Sequence, residues 1–316
     1  MAMTTPPLTA APELVRQRLQ GKKVDTAGLV FRGLLVVALV TTMAVLVVLL
    51  VDVIAGGWSV LSTRPVDFLT GKLGSVAARS GIAPGLRGTF FIGVFVVVLA
   101  FPLGVGAAIY LEEYAPRSRF ARFVDVNIRN LAGVPSVVYG LLGFAIFVKA
   151  LRFLTGPGSA NGATVISAGL TLAILVLPIV IITAAEAIRA VPDSLREAGF
   201  GVGATRWEVV RSHVLPYASP GILTGTVLSL ARALGEAAPL ILVGATTGFL
   251  SEGAGYSLAS LQERFTAMPM VIYTWAGRPQ PGFQNNTAAA IVVLLTVVLL
   301  ANAVAILLRN RYEKRR

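Results

Sequence analysis

Apolar residues gather along this chain in six long runs separated by shorter polar stretches. The runs lie near Leu34–Val51, Thr89–Tyr110, Val134–Val148, Thr164–Ala185, Gly221–Ala245 and Thr287–Leu308. Each approaches the roughly 20 residues that a helix needs to cross the hydrocarbon of a bilayer. The alternation of period two that marks a membrane barrel is absent. The pattern therefore predicts an all-α integral membrane protein with six transmembrane helices. The third run is the weakest, because Lys149 and Arg152 close it unless their stems snorkel to an interface.

Between the fourth and fifth runs lies a polar stretch, Val191–Pro216, with its own helix signals. Ser194 with Glu197, and Thr205 with Glu208, both have the capping-box spacing, in which a hydroxyl and a carboxylate satisfy free N–H groups reciprocally. Two short helices follow from it, with Gly199, Gly201 and Gly203 between them where positive φ lets the chain turn. On the second helix Trp207, Val210 and Val214 recur at helical spacing, while Arg206, Glu208 and Arg211 point elsewhere. Pro216 is expected to end that helix. Local physics leaves two readings open: a docking element for a soluble partner, or an ordinary well-capped loop in which Glu197 only caps a helix.

Composition fixes the solvent. With 55% hydrophobic and 13% charged residues and a mean hydropathy of +0.78, the chain does not describe a fold in water. The net charge of +12 could suggest nucleic acid, so the placement of the basic residues matters. With both termini on the cytoplasmic side, about eighteen of the 27 Lys and Arg residues fall in inner segments and about eight in outer ones. That is the positive-inside bias, and it accounts for the charge without nucleic acid. Residues 1–28, with Pro6, Pro7 and Pro12, read as a flexible cytoplasmic tail; the apolar run that follows is too long for a signal-peptide core. Cysteine is absent, which excludes disulfides and thiolate metal sites, and the lone His213 cannot build a metal site by itself. The outer segments Asp52–Arg87 and Thr246–Asn286 are rich in Gly, Pro and Ser and are expected to carry short interfacial helices, with Trp58, Tyr273 and Trp275 at the water–lipid boundary.

The fifth run holds the chemistry. Arg232 and Glu236 are four residues apart, on one face of a helix, and Arg232 is expected near mid-span, where an uncompensated charge costs several kcal/mol. Gly221, Gly225, Ser229, Ala233 and Ala237 form a small-residue stripe that lets another helix approach closely. Arg232 could supply the cation that a desolvated oxyanion requires, with Glu236 holding the guanidinium in place. The alternative is a structural salt bridge. A packed apolar pair would serve packing as well, which favours a role in transport. Pro239, one turn on, is expected to kink the helix.

These residues resemble the membrane permease subunits of ATP-binding-cassette importers. That family's loop pattern is Glu-Ala-Ala, three residues, Gly, nine residues, Ile, one residue, Leu-Pro. Glu197, Ala198, Gly203, Leu215 and Pro216 match it, with Gly199 in place of the second Ala and His213 in place of Ile. More narrowly, Pro102–Tyr114, Leu131–Gly140, Ala231–Leu240, Ile272–Trp275 and Leu308–Arg311 are similar to the A-type permeases of phosphate-specific importers. The resemblance covers the chain from about Gly88 onward.

It implies a type I importer permease (MetI-like) fold over residues 29–316, with a core at about 86–310 and a cytoplasmic coupling loop at 186–217. It implies that Glu197, Ala198, Gly199, Gly203, Leu215 and Pro216 engage the motor, and that Arg232 and Glu236 belong to the translocation path. The implied partners are a second related permease, ATPase subunits that bind ATP and Mg, and an external phosphate-binding protein, all at the cytoplasmic membrane. No Gly-x-x-x-x-Gly-Lys-Ser/Thr loop occurs here, so this chain is expected to be a non-catalytic subunit without a cofactor of its own. Charge alone suits sulfate or molybdate as well as phosphate. A secondary transporter or a membrane scaffold are the rivals from other classes.

Overall fold

A computed structural model describes residues 26–116, 118–156, 162–245 and 261–313. Among these residues every regular element is helical. The chain divides into two units, residues 1–52 and 53–316. The N-terminal tail expected over residues 1–28 falls almost entirely outside the described residues, as do residues 246–260 of the second outer segment. In the first unit, helix α1 (Thr26–Thr63) begins, carrying apolar side chains exposed on all sides from Leu29 through Val51. A helix that is apolar all round suits lipid.

The second unit contains the end of α1 and the remaining elements. After α2 (Pro65–Thr70) comes α3 (Ala83–Ile109), which closes in a π-turn at Tyr110–Tyr114. Helix α4 (Arg119–Ala132) starts at Ser118, whose side chain accepts a hydrogen bond from the Ala121 N–H at 3.2 Å. Helix α5 (Ser136–Gly143) then runs into a π-turn at Phe144–Ala150, and α6 (Arg152–Thr155) is a single turn. Helix α7 (Val165–Arg189) starts at Thr164 and is the most enclosed span, with one buried residue after another from Val165 to Ile188. Next come α8 (Asp193–Gly201), α9 (Arg206–Val209), α10 (Leu215–Gly235), α11 (Ala238–Val243), α12 (Met268–Ala276) and α13 (Pro281–Glu313).

Among the described residues five helices are long and apolar enough to cross a membrane, and the bent pair Arg119–Ala132 and Ser136–Ala150 brings the number to six when counted as one span. The six-span expectation therefore stands, but two spans differ from the hydropathy runs. The third is short and enters through a bend of 100° between α4 and α5, after which Lys149 ends over the Phe144 ring at 5.4 Å. The fifth is shifted. Its helix does not begin at Gly221, because Pro216 does not end the preceding one.

A π-turn at Val210–Val214 joins α9 to α10, and the Leu215 N–H bonds back to the Val210 carbonyl. That wider turn gives the ring of Pro216 room at the first positions of α10, where a missing N–H is tolerated. One helical stretch therefore runs from Arg206 to Gly235. It stops there: Glu236 is extended, at φ −77° and ψ 117°, and Pro239 opens α11. Pro239 thus marks a break where a kink was expected.

Close approach organises the bundle. A Cβ at Gly143 would collide with the Thr171 hydroxyl on α7, and one at Gly225 with Thr183. Of the expected small-residue stripe, Gly225, Ser229 and Ala233 are buried on α10, which packs against α7, and a Cβ on Gly221 would stand 2.8 Å from Ala187 of α7. Ala237, the last member expected in that stripe, lies beyond the helix.

The two segments expected on the outer side pack on each other. Arg64 donates to the carbonyls of Ala77 and Ala78 at 2.7 and 2.6 Å and to the Asn286 side chain at 2.8 Å. Trp275 does not sit at a lipid boundary: it is 2% exposed, packed between Phe68 and Phe283, whereas Trp58 and Tyr273 are exposed.

Candidate functional site

The loop between α7 and α10 is built from one clamp and one turn. Arg196 on α8 is the clamp. Its guanidinium donates to the Ile188 and Val191 carbonyls at 3.0 and 2.7 Å, at the C-terminal end of α7 where backbone acceptors are free. It also pairs with Glu113 at 2.8 Å and Asp193 at 3.2 Å. Glu113 belongs to the π-turn that closes α3, so one side chain ties together α3, α7 and α8. Both charged groups are largely enclosed, with Arg196 17% and Glu113 9% exposed. Beside it, Arg189 pairs with Glu112, and the Arg206 guanidinium lies 5.5 Å from the centre of the Tyr114 ring.

The turn is Gly203, at φ +83° with no neighbour within 4 Å of where a Cβ would stand. Its N–H bonds to the Phe200 carbonyl at 2.9 Å, closing α8. Thr205 then starts α9 with a full capping box: its hydroxyl accepts from the Glu208 N–H, and the Glu208 carboxylate accepts from the Thr205 N–H at 2.7 Å. The corresponding pair on α8 does not form. Pro192 is the residue before that helix and no side chain caps it, so Ser194 lies inside the first turn, where its hydroxyl cannot reach the free N–H groups as a cap does. Gly199 and Gly201 are helical, leaving only Gly203 with positive φ in the loop. Gly199 serves packing: a Cβ there would stand 2.7 Å from Val209.

The faces of the loop are segregated. Val209, Val210 and Val214 are buried against the ends of the spans, with Leu215 packed on the same cluster. Trp207, expected on that face, is instead 53% exposed. Phe200 and Val202 are exposed as well, as are Glu197 and Ala198. Glu197 has no polar partner among the described residues, so it is not spent on capping. His213 is exposed, and no cluster of metal-ligating side chains occurs among the described residues.

Arg232 and Glu236 stand at the break between α10 and α11. Counted along the helix from Pro216, Arg232 lies about 24 Å on, in the last turn, well past the mid-span position expected from the hydropathy run. A cation suits that position, where the helix dipole presents its negative end. The Nε–Oε1 distance is 3.4 Å, with Arg232 47% and Glu236 19% exposed. The pair therefore lines an open surface of this chain and is not locked in its core. The segment after the break is fixed by Gly140 on α5, whose Cβ would stand 2.8 Å from the Pro239 Cα.

Glu112 and Glu113 are functional candidates that the sequence reading left without a role. They lie 77 and 83 residues from their arginine partners. No spacing rule spans that distance; only their place at the inner end of an apolar run hinted at it.

Residues 100–316 match the family model described as binding-protein-dependent transport system inner membrane component. The chain is 33% identical over 306 residues to the phosphate transport system permease protein PstA 1 of Mycobacterium tuberculosis (strain CDC 1551 / Oshkosh), covering 95% of this chain and 92% of that one. It is 36% identical over 204 residues to the probable ABC transporter permease protein YqgI of Bacillus subtilis (strain 168), a match that takes in 65% of this chain and 66% of that protein. A bacterial alginate ABC transporter, solved in complex with an alginate pentasaccharide-bound periplasmic protein, contains a chain of the same fold, with a TM-score of 0.62 at 15% identity over 86% of this chain and 92% of that one. With its helical spans and a family match over more than half its length, the chain belongs to the inner membrane components of binding-protein-dependent transport systems, the permeases of ATP-binding-cassette importers.

Proposed function

We propose that this chain is the A-type permease of an ATP-driven phosphate importer, lying in the cytoplasmic membrane with both termini inside. The observation that carries the reading is 33% identity to a phosphate permease along 95% of the chain. On this reading residues 29–316 form the permease domain, and the loop at 186–217 faces the cytoplasm. A second related permease completes the pathway, two ATPase subunits bind ATP and Mg, and an external binding protein delivers phosphate.

Two features of the geometry support these roles. Arg232 is the one arginine of the α10 crossing, and its half-exposed guanidinium offers a planar fork of donors to an oxyanion. Glu236, beside it, competes for that guanidinium and keeps the anion from binding too tightly to leave. At the other end of the same helical stretch, Glu197, Ala198, Phe200, Val202 and Trp207 present a surface for an ATPase subunit. Gly203 shapes that surface, Gly199 sets the spacing of its two helices, and Leu215 and Pro216 carry its movement into α10. Closure of the ATPases then rocks α10 and α7 together, exposing Arg232 to alternate sides of the membrane.

The test is uptake of labelled phosphate by the assembled complex, with sulfate and molybdate as competitors. Uptake that excess sulfate and molybdate leave intact supports phosphate. Uptake that either competitor suppresses at equal concentration would move the assignment to another oxyanion.

A further inference from the structure

Helix α4 is strongly amphipathic, and one of its sides has no protein against it. Ile128, Asp125 and Arg129 face α7, where Arg129 pairs with Asp125 at 3.1 Å and reaches Glu186 at 3.8 Å. On the opposite side Phe120 and Phe123 are 74% and 63% exposed, and Leu131 is exposed with them. Arg119 borders this apolar strip beside Phe123, while Arg122, seven residues before Arg129, lies on the polar flank of the helix. Both are exposed, and neither has a carboxylate partner among the described residues, whereas Arg129, Arg189 and Arg196 are all paired.

The elbow fixes how this face lies. The axis of α4 makes an angle of 100° with Ser136–Ala150, and the Tyr139 hydroxyl donates to the Leu131 carbonyl at 2.9 Å to hold the bend. Since α5 enters the bilayer, a helix turned through a right angle to it runs along the membrane surface. It does so on the side of the coupling loop, because it packs on the end of α7. Beyond the bend, Val137, Val138, Leu141 and Leu142 of α5 are exposed as well. At the start of α4 a polar cleft of about 430 Å³ is lined by Ser118, Arg119, Arg122, Asp125, Glu112 and Arg189. There Arg189 answers Glu112 and Arg129 answers Asp125, leaving the charges of Arg119 and Arg122 uncompensated.

The geometry points to α4 as an interfacial anchor that binds the anionic headgroups of the bilayer on the loop side. Phe120 and Phe123 enter the acyl boundary, Arg119 takes a lipid phosphate at the border of the strip, and Arg122 adds its charge from the polar face. Aromatic rings on one face of a surface helix, with arginines at its border and on its polar face, are the arrangement such an interface selects. The anchor sets the height of α4 against the end of α7, and so the position from which the coupling loop moves.

The absence of cysteine makes the test direct. In the assembled transporter, Phe123→Cys carries an environment-sensitive fluorophore, with the unsubstituted complex as labelling background. Nanodiscs hold brominated phosphatidylcholine, alone or mixed with phosphatidylglycerol. The label is expected to be quenched by the brominated chains and blue-shifted, more so with phosphatidylglycerol. Arg119→Gln with Arg122→Gln removes that dependence on lipid charge, while a control label at Leu141→Cys stays quenched to the same degree. A label at position 123 that remains water-like in both bilayers would overturn the proposal. So would shielding that appears only when the ATPase subunits are present, which would assign the face to them. Equal quenching in the two lipid mixtures would overturn the headgroup assignment.

Discussion

At Gly203 the loop depends on backbone freedom and not on space, since nothing crowds the position and only its φ of +83° excludes other residues. A β-branched residue there costs about 1–2 kcal/mol in the left-handed region and tilts α8 against α9. Gly203→Val is therefore expected to leave membrane insertion intact and ATP hydrolysis running while phosphate uptake falls tenfold or more. Normal uptake per ATP in that variant would remove Gly203 from the coupling element. Arg232 makes the second prediction at this scale. A pair at 3.4 Å with one partner half exposed adds at most about 1 kcal/mol to stability, so Arg232→Gln should leave the complex assembled. Uptake should fall by about a hundredfold or more, and Arg232→Lys should recover only part of it, because the charge returns without the fork. Failure of assembly in Arg232→Gln would instead make the pair a structural bridge. Local signals were sound guides to these residues: Gly203, the Thr205–Glu208 box and the four-residue spacing of Arg232 and Glu236 all depend on neighbours in sequence.

At the scale of elements, the ion pairs around the loop divide by burial. Arg189 is 55% exposed, and its pair with Glu112 is worth no more than about 1 kcal/mol. Arg196 and Glu113 are enclosed; removing Arg196 strands the Glu113 carboxylate at a cost of about 3 kcal/mol, whereas removing Glu113 costs less because Arg196 keeps Asp193 and two backbone carbonyls. Arg196→Gln or Glu113→Gln should lower thermal stability and uncouple hydrolysis from uptake, and the double variant should be less than additive. Additive losses measured by thermal inactivation would mean that the clamp does not act as a unit. None of this linkage was legible in the sequence, because its partners meet only after α3, α7 and α8 have packed. The limits of α10 escaped for a different reason. Hydropathy sees apolar content, whereas the π-turn before Pro216 and the break before Pro239 are set by backbone hydrogen bonding, which shifted the helix toward the loop and left Arg232 in its final turn.

For the whole molecule, the count of spans was readable because the bilayer imposes length and apolar content on each crossing. The packing that joins the spans was only hinted at by the small-residue stripe on α10. Contacts such as Gly143 against Thr171 and Gly140 against Pro239 show that α5, α7 and α11 touch backbone to side chain with no spare volume. Gly143→Leu should therefore overpack the bundle and destabilise it by about 1–3 kcal/mol or more, lowering the thermal midpoint of the purified complex. An unchanged midpoint would show that this contact gives way. In the proposed mechanism one helical stretch, Arg206–Gly235, links an external motor at its loop end to an anion contact at its other end. The most direct test is labelled-phosphate accumulation in proteoliposomes holding the complete complex, with the ATPase subunits either active or inactivated. Accumulation that requires hydrolysis and disappears with Arg232→Gln is the predicted result; accumulation that persists without a working ATPase would contradict it.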